Sequence, residues 1–150
     1  MITIKRTSSD DEHFQVLVKA LDLELAIRDG EDHLFYAGLN KTDTIKHVIV
    51  AYDQQLAVGC GAIRQYSNGT MEVKRMFVHL PQRGKGIASA ILKALEAWCT
   101  ELGYNKCILE TGKNQPEAIA LYLKNKYSII PNYGHYQGVG NSVCFEKILR

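Results

Sequence analysis

The chain has 150 residues, 46% of them hydrophobic and 23% charged, an ordinary globular balance that excludes disordered, collagen-like and low-complexity classes. Eighteen basic against 16 acidic residues leave a net charge of +2, spread along the chain, where a dedicated nucleic-acid or membrane-surface binder would carry a strong basic excess. A chain of this size buries roughly 70% of its unfolded surface, so neither a metal nor a disulfide is required as a staple.

Four cysteines (Cys60, Cys99, Cys107, Cys144) stand far apart in apolar runs without a CxxC pair. Buried free thiols in a reducing compartment are therefore expected, and no metal site. The opening Met-Ile-Thr-Ile-Lys-Arg lacks the apolar core of a signal peptide, and no run reaches the ~18 apolar residues of a membrane span. One domain over residues 1–150, cytoplasmic, is the expectation.

Residues 2–6 alternate apolar and polar, the period of an opening strand. Ser8, Ser9 and Asp10 offer N-caps to a helix of about 18 residues. Its stripe is Phe14, Leu17, Val18, Leu21 and Leu25, and Asp29-Gly30 stops it. Residues 31–45 read weakly, as loop or a short second helix. Three strands follow, at 46–52, 56–66 and 71–79, the last two joined by Ser67-Asn68-Gly69-Thr70 with its Asn-Gly hairpin signal. After a loop from Pro81 to Gly86 comes the helical stripe Ile87, Ala90, Ile91, Ala94, Leu95, Trp98 and Leu102, ended by Gly103. A β-rich run at 106–110 is broken by Thr111-Gly112, and Pro116 opens a helix to about Lys126. Strands at 127–130 and 142–149 close the order around a segment rich in tyrosine and glycine. Hairpins followed by a strand-loop-helix-strand crossover, which joins parallel strands, imply a mixed α/β sheet covered by helices.

The most informative stretch is Met76-Phe77-Val78-His79-Leu80-Pro81-Gln82-Arg83-Gly84-Lys85-Gly86-Ile87-Ala88. A strand runs into a loop with two glycines and two bases, and a helix starts at once. The first turn of a helix offers unsatisfied N–H groups and the positive end of the macrodipole. Glycines let the backbone close on an anion, and Arg83 and Lys85 add full charges, so the loop suits a phosphate or pyrophosphate. It is neither a Walker loop nor a dinucleotide fingerprint, whose spacings fail here. A plain strand-to-helix turn is the alternative from the loop alone.

Arg83-Gly84-Lys85-Gly86-Ile87-Ala88 resembles the Arg/Gln-x-x-Gly-x-Gly/Ala pattern of the GNAT superfamily of acyl-CoA-dependent N-acetyltransferases, between strand four and the next helix. Gln115-Pro-Glu-Ala118-Ile-Ala-Leu-Tyr122-Leu-Lys-Asn-Lys-Tyr127 resembles that family's Asn-x-x-Ala-x-x-x-Tyr segment, with Gln115 for Asn and Asn125-Lys126 for the usual glycine step. Asn125 is expected to take the left-handed conformation there. The order of elements is similar too. The resemblance implies a mixed, mostly antiparallel seven-stranded sheet with a splayed central parallel pair and helices on both faces.

It further implies transfer of an acetyl group from acetyl-CoA, as co-substrate, directly to a primary amine of a small molecule or peptide. Nucleic acid, membrane and metal are expected to play no part, and a homodimer is compatible. Main-chain groups of Arg83, Gly84, Lys85, Gly86, Ile87 and Ala88 would hold the pyrophosphate, Met76, Phe77 and Val78 would align the pantetheine arm, and Gln115 would contact it. Tyr122 would be the acid for the departing thiolate; values of ~10 for a phenol and ~8.5 for a thiol are taken to make that transfer downhill. Glu72 would be the base, with Glu110 its rival. By period-2 alternation Glu72, Lys74, Met76 and Val78 share a face. Residues 29–36 and 132–136 would flank the acceptor. A non-catalytic acyl-CoA sensor of the same fold is the alternative reading, and a polyanion binder using Lys74, Arg75, Arg83 and Lys85 a third.

Overall fold

A computed structural model describes residues 1–30 and 45–149. In chain order these form β1 (Ile2–Thr7), α1 (Glu12–Asp29), β2 (His47–Asp53), β3 (Leu56–Ser67), β4 (Thr70–Val78), α2 (Ile87–Glu101), β5 (Lys106–Gly112), α3 (Pro116–Lys124), β6 (Ser128–Ile130) and β7 (Ser142–Ile148). Short 3₁₀ turns at Leu80–Gln82 and Gly134–Tyr136 complete the path. The strands make one seven-stranded sheet in the order β1-β2-β3-β4-β5-β7-β6. Every pairing is antiparallel except β4 with β5. The mixed sheet expected from the element order is the one observed, within a residue or two at the strand ends.

Helix α1 covers one face. Its Phe14, Leu17 and Leu21 are buried with Val48, Val50, Cys60, Ala62 and Phe77. The cap is Asp11, whose Oδ1 accepts the Phe14 N–H at 3.0 Å while Oδ2 takes the Thr7 hydroxyl at 3.1 Å. It stands just beyond the Ser8-Ser9-Asp10 expected, because a capping oxygen must precede the orphan N–H it serves by two or three residues.

Helices α2 and α3 share the opposite face. Ile87, Ile91, Leu92, Leu95 and Cys99 of α2 join Ile63, Met71, Val73, Leu109 and Phe145 of the sheet, with Tyr122 and Tyr127 in the same core. Glycine brings α2 close to β3: a Cβ on Gly61 would lie 2.9 Å from the side chains of Ile91 and Leu95. The two helices are also tied by polar contacts. Tyr127 donates its hydroxyl to Glu96 at 2.9 Å, and the Asn125 amide donates to Ser89 Oγ at 3.1 Å and Leu121 O at 2.9 Å.

The left-handed residue after α3 is Lys126, at φ +71, whereas Asn125 stays at φ −89. That corrects the expectation for Asn125: its side chain is committed to closing the helix end, so the next residue makes the turn. All four cysteines are free and buried. Burial pushes the Cys60 thiol up to about 12 and the Cys144 thiol to about 11, which leaves both unreactive near neutral pH.

Candidate active site

Two irregularities of the sheet create the site. The first is a bulge in β4. Cys60 of β3 stands opposite Phe77 but Ala62 stands opposite Lys74, so an extra residue is inserted near Arg75, which takes φ +59. The bulge resets the alternation. Glu72 and Lys74 remain on the α1 side, opposite Arg64 and Ala62, while Met76 and Val78 pack into the α2 core. The expectation that these four share a face is corrected by that one extra residue. Arg75, almost fully buried, is held by an ion pair with Asp22 of α1.

The second irregularity is the splay between β4 and β5. They pair at three positions only, Thr70–Glu72 against Lys106–Ile108, and then part. β3 follows β4 to Val78 and β7 follows β5 to Gly112, so each separating strand keeps its outer partner. Among the described residues, the inner edge of β4 beyond Glu72 is left without a strand partner. A cleft of about 370 Å³ fills the opening between the end of β4, the 83–88 loop and α3. An inner cavity of about 90 Å³ continues it toward Glu72, Lys74, Glu110 and Tyr136. Met76, Gln115, Ala118 and Tyr122 line both.

At the cleft mouth Gly84 and Gly86 both lie at φ +81, and a Cβ on either would meet nothing within 4 Å, so the backbone there is open to a ligand. The bond at the head of α2 runs from Ala90 N to Gly86 O at 3.1 Å, and no side chain among the described residues caps the helix. The N–H groups of the first turn therefore face the cleft unmatched. Lys85 stays exposed, donating to Gln82 Oε1 at 3.2 Å. Arg83 is placed differently from the expectation that its charge faces an anion. Its Nε donates to Val78 O at 2.7 Å and its Nη2 to Glu24 at 2.8 Å, with the guanidinium over the Phe77 ring. The side chain thus staples the loop to β4 and α1, and Glu24 balances its charge.

In the inner cavity the carboxylates differ. Glu72 is buried and committed on both oxygens, accepting the Tyr133 hydroxyl at 2.6 Å and lying 3.5 Å from Arg64. Glu110 is hydrogen-bonded by Ser142, but its Oε2 is buried with no hydrogen-bond partner among the described residues, and burial pushes its pKa up to about 7. Tyr122 is buried against Tyr127 and Phe145. Burial, then the charge of Glu110, raises its pKa above the ordinary phenol value. This corrects the expected downhill transfer: a phenol is a weaker acid than a thiol, and burial widens the gap. Tyr122 can donate a hydrogen bond that stabilises a leaving thiolate, but full proton transfer from it runs uphill.

Asp29, Tyr133 and Tyr136 from the expected acceptor segments gather here, whereas residues 31–36 lie outside the described residues. Arg64, Ser142, Asp22 and Glu24 were not foreseen. Counting back from the Asn-Gly turn would put Gln65 opposite Glu72; a register shift between Gln65 and Ser67 puts Arg64 there. Among the described residues no group of three potential ligands could hold a metal ion.

The acetyltransferase (GNAT) family model matches residues 14–127, a stretch that includes the bulge, the loop, the splay and Tyr122. The chain belongs to the GNAT acetyltransferase family. It is 33% identical, over 99% of its own length and 98% of the relative's, to an IAA acetyltransferase from Azospirillum brasilense. A Klebsiella pneumoniae structure assigned as an acyl-CoA N-acyltransferase superposes with a TM-score of 0.84 at 31% identity, covering 100% of this chain and 99% of that one. A GNAT acetyltransferase from Elizabethkingia anophelis, solved with acetyl-CoA bound, has a TM-score of 0.70 at 18% identity, covering 99% of this chain and 98% of its own. This GNAT chain is accordingly an acyltransferase, and the open β4 edge, uncapped helix start and long cleft fit an acyl-CoA arm.

Proposed function

We propose that the protein transfers the acetyl group of acetyl-CoA directly to a primary amine, without a covalent enzyme intermediate. The observation that carries this reading is the continuity of the long cleft with the inner cavity, through Tyr122. Main-chain N–H groups between Arg83 and Ala88 hold the pyrophosphate, with Lys85 at the rim. The edge of β4 at Met76–Val78, which has no strand partner among the described residues on its inner side, hydrogen-bonds the pantetheine arm as an added strand would, and Gln115 faces it from α3. Acetyl-CoA supplies a thioester carbonyl activated for acyl transfer.

The remaining work falls to the cavity. Glu110 is the base: its open oxygen and near-neutral pKa suit the removal of a proton from an incoming ammonium. Glu72, engaged by Arg64 and Tyr133, orients the cavity wall, although it was the first candidate for base from its place on the strand. Tyr122 stabilises the departing sulfur by hydrogen bonding. Burial leaves the Cys60 and Cys144 thiols too weakly acidic to act as nucleophiles, which favours direct transfer.

Calorimetric titration with acetyl-CoA, beside an Arg83→Glu, Gly86→Glu double variant, tests the donor site. Micromolar binding by the natural chain and none by the variant is expected. Turnover is then followed as thiol release over a panel of amines. Tyr122→Phe should lower kcat on the order of a hundredfold while leaving acetyl-CoA affinity unchanged. Binding without turnover on any amine would leave the non-catalytic sensor standing.

A further inference from the structure

The inner cavity already contains a primary amine. Lys74 reaches into it from β4, 7% exposed, with Nζ donating to the Tyr136 hydroxyl at 3.5 Å. It shares the cavity with Glu110, the proposed base, and with Tyr122, the residue proposed to face the departing sulfur. An acetyl group brought down the long cleft to Tyr122 therefore arrives at the cavity that Lys74 also lines. We infer that Lys74 is an acceptor of the protein's own acetyl-transfer chemistry, a self-acetylation site at the head of the donor cleft. The inference rests on reading the cleft as the acetyl-CoA site.

The surroundings support it on three counts. Burial draws the Lys74 pKa below the ordinary lysine value, while Glu72 and Glu110 pull it back up and Arg64 and Arg75 push it down, so part of the cost of forming a free amine is already met by the site. Proximity replaces a bimolecular encounter with an intramolecular one. And the lysine is anchored from a strand held in register on its outer side by β3.

The step balances. A proton leaves the Lys74 ammonium for Glu110 Oε2 and then for solvent. The free Nζ attacks the thioester carbonyl carbon, a C–N bond forms and the C–S bond breaks. The sulfur departs with the bonding pair and takes up the second proton lost by nitrogen, giving acetyl-lysine and the thiol of CoA. No oxidant or further reactant is needed. The amide removes a charge from the cavity and fills part of its space, so the modified chain accepts external amines more slowly.

The test is to incubate the purified chain with acetyl-CoA and no added amine, then read intact mass and map the acetylated peptide. One acetyl group on Lys74 is expected, formed on the order of a hundredfold faster than on the exposed Lys85 or Lys93, and lost when the chain is unfolded in urea. K74R should remove it, and E110Q should slow it while leaving Lys85 unaffected. A Lys74 already acetylated on purification, beside an unmodified Lys85, supports the inference equally. A chain that binds acetyl-CoA by calorimetry yet leaves Lys74 unmodified, or modifies it no faster than Lys85, overturns this inference alone. A chain that binds no acetyl-CoA overturns the donor-site reading, and Lys74 falls with it.

Discussion

Glu110 shows how a single environment sets both chemistry and stability. Its carboxyl ordinarily titrates near 4.5 and is raised to about 7 chiefly by burial. Between those values the folded chain keeps a proton that the unfolded chain has lost, so stability falls as pH rises through that window. E110Q should flatten this fall in urea melts between pH 5 and pH 8, a difference of at most about 3 kcal/mol. The same substitution should abolish the rise of kcat/KM with an apparent pKa near 7 that a Glu110 base imparts. A profile unchanged in E110Q would move the base elsewhere. Lys126 is a simpler case, exposed and left-handed at φ +71. K126G should relieve that strain and raise stability by about 0.5–1 kcal/mol, measured as the shift of the denaturation midpoint, with acetyl-CoA affinity unchanged. Neither property was legible in the sequence: the glutamate's burial needs the splay and Ser142, and the position of the left-handed residue depends on what the Asn125 side chain does.

At the scale of elements, the bulge in β4 decides which side chains face which helix. Arg75 holds it, buried on the sheet and paired with Asp22 of α1 across the face. D22N should leave a buried guanidinium weakly matched and cost about 1–3 kcal/mol, read by chemical denaturation. Because α1 also anchors the loop through Glu24 and Arg83, that variant should weaken acetyl-CoA binding as well, although Asp22 does not line the cleft. The strands, helices and their order were legible because the apolar periods and the Asn-Gly turn are local signals. The bulge was not. Gly59 and Gly61 hint at close approach in β3, but nothing local to Glu72-Val-Lys-Arg-Met says that the alternation breaks between Lys74 and Met76. The loop was legible in its backbone, through glycines that need φ +81, and misread in its charge. Arg83's partner, Glu24, lies 59 positions away in the sequence.

Over the whole molecule, function follows from a sheet that fails to close. Three paired positions hold β4 to β5 at one end, and beyond them the separating strands pair with β3 and β7 on their outer sides. The opening is lined by α3 on one side and reached by α1 on the other, and an ion pair between Arg28 of α1 and Glu117 of α3 spans these helices. Ala118 sits on the α3 face turned to the opening and lines both the long cleft and the inner cavity. A small residue there keeps the two continuous. A118F should place an aromatic ring, larger by roughly 100 Å² of surface, into the junction without adding a buried polar group. Because the cleft is open to solvent, the ring has room to turn outward, and the denaturation midpoint should change little. Acetyl-CoA affinity should fall at least about tenfold, or 1.4 kcal/mol, while CoA truncated to its 3′,5′-ADP portion, which needs only the loop, should bind as before. Equal loss of both ligands would mean that α3 had shifted as a body. Unchanged binding of acetyl-CoA would place the arm outside the splay and remove the cleft's role in the chemistry.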